Sequence, residues 1–218
     1  VTKLSLLLKV LEEESGQLSF AFERILPDLG RNIQCGNSLI GPDYFDGRLV
    51  VDEAERRRVN AFDWQRAFPA IFARGGFDAV IGNPPYVRQE TLGDDKKYFQ
   101  KTYQVYAGTA DLYSYFIEKG VSLLAPAGQF SYIVANKWMR ANYGLALRKW
   151  LKTKNIEEII DFGDLPVFEN ATTYPCIIRI SNKKPEMKPW VTNVKTLIFS
   201  SLLEYVNQYG STLDQTQF

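Results

Sequence analysis

The chain has 218 residues, 45% of them apolar and 14% aromatic, which excludes disorder as its main state. Lys plus Arg number 26 against 25 Asp plus Glu, a net +1 that excludes a uniformly basic binder but leaves room for a local basic cleft. With no His and two Cys, imidazole acid–base chemistry and Cys- or His-built zinc sites are excluded as well.

No run approaches the roughly 18 apolar residues of a membrane span, and no signal-like start is present. Cys35 and Cys176 sit in apolar runs and read as buried free thiols, which suits a cytoplasmic compartment. Residues 4–14 carry a leucine-rich helical face with an acidic end, and 17–29 read as further helix. Ile33-Gln34-Cys35 reads as a short strand turned by Gly36-Asn37-Ser38. Residues 41–58 form a charged connection, and 60–73 predict an amphipathic helix stopped by Gly75-Gly76. Phe77 to Gly82 is a compact apolar strand of the buried, parallel kind. Residues 87–110 read as a long polar-aromatic loop. A helix over 111–124 is ended by Pro126 and Gly128. A strand over Phe130–Ala135, a helix near 142–152 and a strand over Ile156–Phe162 follow. After a loop over Gly163–Tyr174, Cys176–Ile180 predicts one more strand. Residues 182–190, with Pro185 and Pro189, read as a linker before a new segment.

This alternation predicts an α/β fold, a mainly parallel sheet with helices on both faces. In such sheets ligands sit at the carboxyl ends of the strands. The loops after Cys35, Gly82 and Phe162 should converge there.

The sharpest motif is Asn83-Pro84-Pro85-Tyr86, directly after the Phe77–Gly82 strand. Two prolines fix φ and remove two backbone donors, and Pro85 keeps Pro84 out of the helical region. The stiff turn presents an amide oxygen, a carbonyl and an aromatic ring. That set suits a planar –NH2 group on a ring. The Asn83 oxygen and the Pro84 carbonyl accept its two N–H bonds, and Tyr86 stacks on the ring, a contact worth roughly 1–3 kcal/mol per base. Two acceptors draw a delocalised amine towards tetrahedral geometry and free its lone pair. No His, Ser or Cys nucleophile is needed.

Phe77-Asp78-Ala79-Val80-Ile81-Gly82-Asn83-Pro84-Pro85-Tyr86 resembles the catalytic motif of S-adenosylmethionine-dependent N6-adenine DNA methyltransferases. Its extension Val87-Arg88-Gln89-Glu90 is similar to the type IIG restriction–modification branch. Asp111–Gly120, Ile159–Phe168 and Ala171–Cys176 resemble later segments of that family. The resemblance implies a Rossmann-like methyltransferase sheet over residues 1–182, with 183–218 a linker and the start of a target-recognition domain. It implies transfer of a methyl group from S-adenosylmethionine to the N6 amine of an adenine flipped out of double-stranded DNA. Asn83 and Pro84 would hold the amine, Pro85 would stiffen the turn, Tyr86 would stack on the base and Phe168 would pack against it. Asn37 falls where the family contacts the cofactor's adenine, and Asn83 also belongs to the cofactor side of the site. The family's glycine-rich cofactor loop has no counterpart in the sequence. The expectation is therefore a fragment truncated at its N-terminal strands, with an incomplete cofactor site, no activity alone and an exposed sheet edge suited to dimerisation.

Flipping requires phosphate anchors around the pocket. Arg88, Lys96, Lys97 and Lys101 are the candidates, interleaved with aromatic residues. Lys137 and Arg140, after the Phe130 strand, fall on the same side. Two other readings are a non-catalytic DNA-binding or assembly module of the same fold, and methylation of an RNA or protein amide.

Overall fold

The computed structural model describes residues 5–6, 29–87, 93, 95–168, 173–186 and 188–214. The helices expected over 4–14 and 17–29 lie almost entirely outside these residues, as does Arg88. The chain divides into two compact units, Val1–Phe68 and Pro69–Phe218.

In the first unit, a 3-10 turn over Pro42–Phe45 is followed by α1 (Glu53–Val59) and the one-turn helix α2 (Trp64–Ala67). The Asp52 side chain accepts from Ala54 N at 3.2 Å and caps α1. Leu39, Ile40, Tyr44 and Val59 form the buried centre of the unit. The strand expected over Ile33–Cys35 is absent, and a single bridge joins Asn37 to Ala61 instead. Cys35 is exposed, against the expectation that both thiols are buried. The helix expected over 60–73 is two one-turn pieces, because Pro69 disfavours helical backbone at Phe68, whose φ and ψ are −130° and 57°.

The second unit holds a six-stranded mixed sheet. After α3 (Pro69–Phe72) come β1 (Phe77–Gly82), α4 (Lys96–Thr102), α5 (Tyr113–Ser122) and β2 (Leu124–Ala135). Then follow α6 (Leu145–Leu151), β3 (Asn155–Asp161), β4 (Pro175–Ser181), β5 (Trp190–Asn193), α7 (Leu202–Tyr209) and β6 (Ser211–Thr212). The strand order is β1-β2-β4-β3-β5-β6.

The α/β class holds, with a correction to strand direction. β1 pairs parallel with β2, and β3 with β5; β4 runs antiparallel to both β2 and β3, and β6 antiparallel to β5. Thus β1, β2, β3 and β5 share one direction. Among the described residues no helix lies between β3 and β4, and a return without a crossover makes an antiparallel pair. β2 also starts earlier than expected. It passes through Pro126–Gly128 with Ala127 at φ 62°, held where Ala127 N donates to the Asn182 carbonyl at 3.0 Å and Asn182 N to that of Gly128 at 2.9 Å.

Phe130 and Val134 of β2, Ile156 and Ile159 of β3, and Ile178 and Ile180 of β4 are buried. Each such side chain contributes roughly 1.5–3 kcal/mol by leaving water. β5, β6 and α7, all beyond residue 182, belong to this same unit. Val194, Tyr205 and Val206 there pack with Ile160 and Phe162. No helix among the described residues is long and apolar enough to cross a membrane.

Candidate active site

The Asn83-Pro84-Pro85-Tyr86 turn leaves the carboxyl end of β1, as the sequence predicts. Gly82, just before it, lies under the Tyr132 ring; a Cβ there would stand 2.8 Å from Tyr132 Cε1. The strand end therefore approaches its neighbour closely only with glycine. Pro84 is buried, whereas Asn83 and Pro85 are exposed. The Asn83 carboxamide has no hydrogen-bond partner among the described residues. The exit of the turn is fixed where Leu112 N, at the start of α5, donates to the Val87 carbonyl at 2.8 Å.

Tyr86 is 37% exposed. Its ring meets Tyr113 edge to face, with centroids 6.4 Å apart. One ring face can thus be supported while surface remains for a ligand. Partial burial raises the Tyr86 pKa, with the nearby Cys176 adding to it. Burial pushes the Cys176 thiol up to about 12, with the nearby Trp138 indole working the other way. Tyr113 is raised far above the ordinary phenol range, first by burial and then by its contact with Tyr143. The Tyr143 hydroxyl donates to Asp111 Oδ2 at 3.1 Å. Tyr86, Tyr113 and the Cys176 thiol therefore stay neutral at physiological pH.

Lys97 and Lys101 are exposed, four residues apart on α4, while Phe99 of the same helix is buried and stacks on Tyr103. The segment after α4 is pinned by the buried Glu118, whose carboxylate accepts from Gln104 N at 3.1 Å and Val105 N at 3.0 Å. Phe168 stands half-buried at the end of the described stretch 163–168. Asn37 belongs to the first unit, where its side-chain oxygen accepts from Leu39 N at 3.1 Å and closes a turn.

The sequence assigned no role to Asn136, Asp161 or Tyr174. The structure groups them at the ends of β2, β3 and β4, on the sheet edge that also carries the Asn83 turn. Asn136 Nδ2 donates to Asp161 Oδ1 at 2.7 Å, and Asn136 N to the Tyr174 carbonyl at 2.7 Å. The available signal was Asn136 directly after a buried strand, the position that Asn83 holds after β1.

The chain matches the model of the Eco57I restriction-modification methylase family over residues 1–168. It belongs to that family. It is 30% identical over 210 residues to the type II restriction enzyme and methyltransferase RM.Eco57I of Escherichia coli, covering 90% of this chain and 20% of that protein. It is 38% identical over 129 residues to the type II methyltransferase M.BstVI of Geobacillus stearothermophilus, covering 57% of this chain and 23% of the relative. These alignments span about a fifth of the relatives' length. Among solved structures, the methyltransferase subunit of a type I restriction-modification system from Streptococcus thermophilus matches with a TM-score of 0.48 at 14% identity, over 65% of this chain and 35% of that one.

A methylase family implies S-adenosylmethionine. The Asn37 carboxamide offers both a donor and an acceptor to a heterocycle edge, since its oxygen keeps a second lone pair beyond the Leu39 bond. For the sulfonium and amino-acid end, no glycine-rich loop lies among the described residues.

Proposed function

We propose that this chain carries the target-base half of a DNA N6-adenine methyltransferase site, acting with S-adenosylmethionine in a restriction–modification system. The observation that carries this reading is the Asn83 carboxamide, exposed and unpartnered among the described residues on a proline-stiffened turn at a strand's carboxyl end. Such a group is available to a substrate amine. The Asn83 oxygen and the Pro84 carbonyl accept the two N–H bonds of adenine N6, drawing the nitrogen towards tetrahedral geometry. Tyr86 stacks on the base with Tyr113 behind it, and Phe168 closes the pocket from a second side. Pro85 has no N–H to compete for the acceptors. When bound, S-adenosylmethionine supplies an electrophilic methyl group, and Asn37 would hold its adenine edge. Arg88, Lys97 and Lys101 contact phosphates of the duplex from which the base has been extruded.

The test is product analysis. The intact protein is incubated with duplex DNA and methyl-labelled S-adenosylmethionine, and the DNA is digested to nucleosides. Label in N6-methyldeoxyadenosine, absent with Asn83→Ala, is the expected result. Label only in a methylated cytosine, in RNA or in protein overturns the assignment.

A further inference from the structure

A cavity of about 650 Å³ opens at the ends of β2, β3 and β4, lined chiefly by Asn136, Lys137, Arg140, Asp161, Asp164 and Tyr174. Its frame is built. Asp161 Oδ1 accepts from both Asn136 Nδ2 at 2.7 Å and Gly163 N at 3.0 Å, tying the end of β3 to that of β2. The 3-10 turn Asn136–Met139 is held from below by Arg148, which donates to the carbonyls of Trp138 at 2.5 Å and Ala141 at 2.9 Å. Trp138 is fully buried, and a Cβ at Gly144 would fall on its carbonyl.

This fixed turn carries two exposed cations, Lys137 and Arg140. Neither forms an ion pair among the described residues. The Lys137 ammonium lies 5.8 Å from the centroid of the Tyr174 ring, which limits its freedom. Of the two carboxylates present, Asp161 is engaged by Asn136 and Gly163, and Asp164 is exposed. The lining is neutral overall, two cations against two carboxylates, but Asp161 is held back in the frame while Lys137 and Arg140 stand exposed on the rigid turn, where an anion would meet them.

The position says which anion. Cys176, which borders Tyr86, lies two residues beyond Tyr174 on the chain that enters β4. β4 stands two places from β1 in the sheet, so the cavity is about 10 Å across the strands from the Asn83 turn. A nucleotide extruded about its backbone brings its own phosphates to the rim of the pocket that takes its base.

We propose that this cavity seats the backbone phosphate adjoining the extruded adenine, with Lys137 and Arg140 as its contacts. The inference rests on the methyltransferase reading and adds a second anchor to it. The base grip at Asn83 reads the amine; the phosphate seat fixes the strand without reading sequence.

The test uses the intact protein and duplexes containing an adenine that it methylates, with Lys137→Ala, Arg140→Ala and Lys137→Arg as variants. Each alanine variant should weaken DNA binding about tenfold, and each should flatten the dependence of log affinity on log salt by about 1. Lys137→Arg should keep most of the affinity. A neutral methylphosphonate placed at each linkage flanking the target adenine then locates the contact. At one linkage it should weaken the unaltered protein to the level of the alanine variants and weaken those variants no further. Affinity and salt slope unchanged in both alanine variants overturn the phosphate seat, as do losses that multiply with the methylphosphonate at every linkage. Absence of adenine methylation by the unaltered protein overturns the functional reading itself, so the two failures are distinguishable.

Discussion

Asn83 and Asn136 each follow a strand at the same edge of the sheet, and their surroundings are opposite. The Asn83 turn is stiff because of its covalent chemistry, and its carboxamide meets no partner among the described residues. Asn136 sits in a turn made rigid by side chains, with its carboxamide donating to Asp161 and its backbone N–H to the Tyr174 carbonyl. A carboxamide bonded inside the protein is part of the scaffold. One left open on a rigid turn is available to a ligand. The same residue type in equivalent positions thus divides into a reacting-group holder and a frame member.

Alanine at the two positions should separate these roles. Asn83→Ala should lower methylation by roughly 10²–10³-fold, the scale seen when one preorganised polar contact to a reacting centre is lost, with DNA affinity nearly unchanged. Equal loss of DNA affinity would make Asn83 a general contact. Asn136→Ala should instead lower stability, because Asp161 loses a charge-assisted donor; about 1.5–3 kcal/mol is the expected shift in a denaturant titration. Within the frame, Arg148→Ala should lower stability on a similar scale by leaving the Trp138 and Ala141 carbonyls without a charged donor. On the Asn83 side, Gly82→Ala should cost about 1–3 kcal/mol, since its Cβ would press on the Tyr132 ring. Unchanged stability in Gly82→Ala would show that the ring moves aside freely.

The Asn83 region was legible because everything that shapes it is consecutive. A short apolar strand, two prolines and an aromatic residue lie within ten positions. Helix α5 was legible for the same reason: its buried face repeats at helical spacing. The Asn136 frame was not legible. Asn136 and Asp161 are 25 residues apart and meet only because β4 runs back between β2 and β3. That reversal depends on pairing partners, which no local pattern encodes. Pro126 and Gly128 read as terminators, yet β2 runs through them because Asn182 bonds across the irregularity. The residues at Phe68-Pro69 erred the other way: their apolar spacing suggested one helix, and the proline divides it.

The neutral thiol and phenols around Tyr86 give the smallest effect, invisible at neutral pH. The Cys176 thiol has an ordinary value of 9.0 and is pushed to about 12 by burial. A group whose folded pKa is raised contributes stability that is complete below its unfolded value and is lost as pH climbs towards the folded one. Between pH 9 and 12 the unfolded chain therefore releases a proton that the folded chain retains. Stability should fall by at most about 1.4 kcal/mol per pH unit from this group alone. The raised tyrosines add the same sign of slope from about pH 10 upward. Cys176→Ala lowers stability at every pH by removing a buried side chain, and it should also flatten the curve between pH 9 and 10, where the thiol acts before the phenols. Denaturation midpoints at half-unit pH intervals would measure this. An unchanged slope would mean that the thiol ionises in the folded protein, placing a negative charge beside Tyr86.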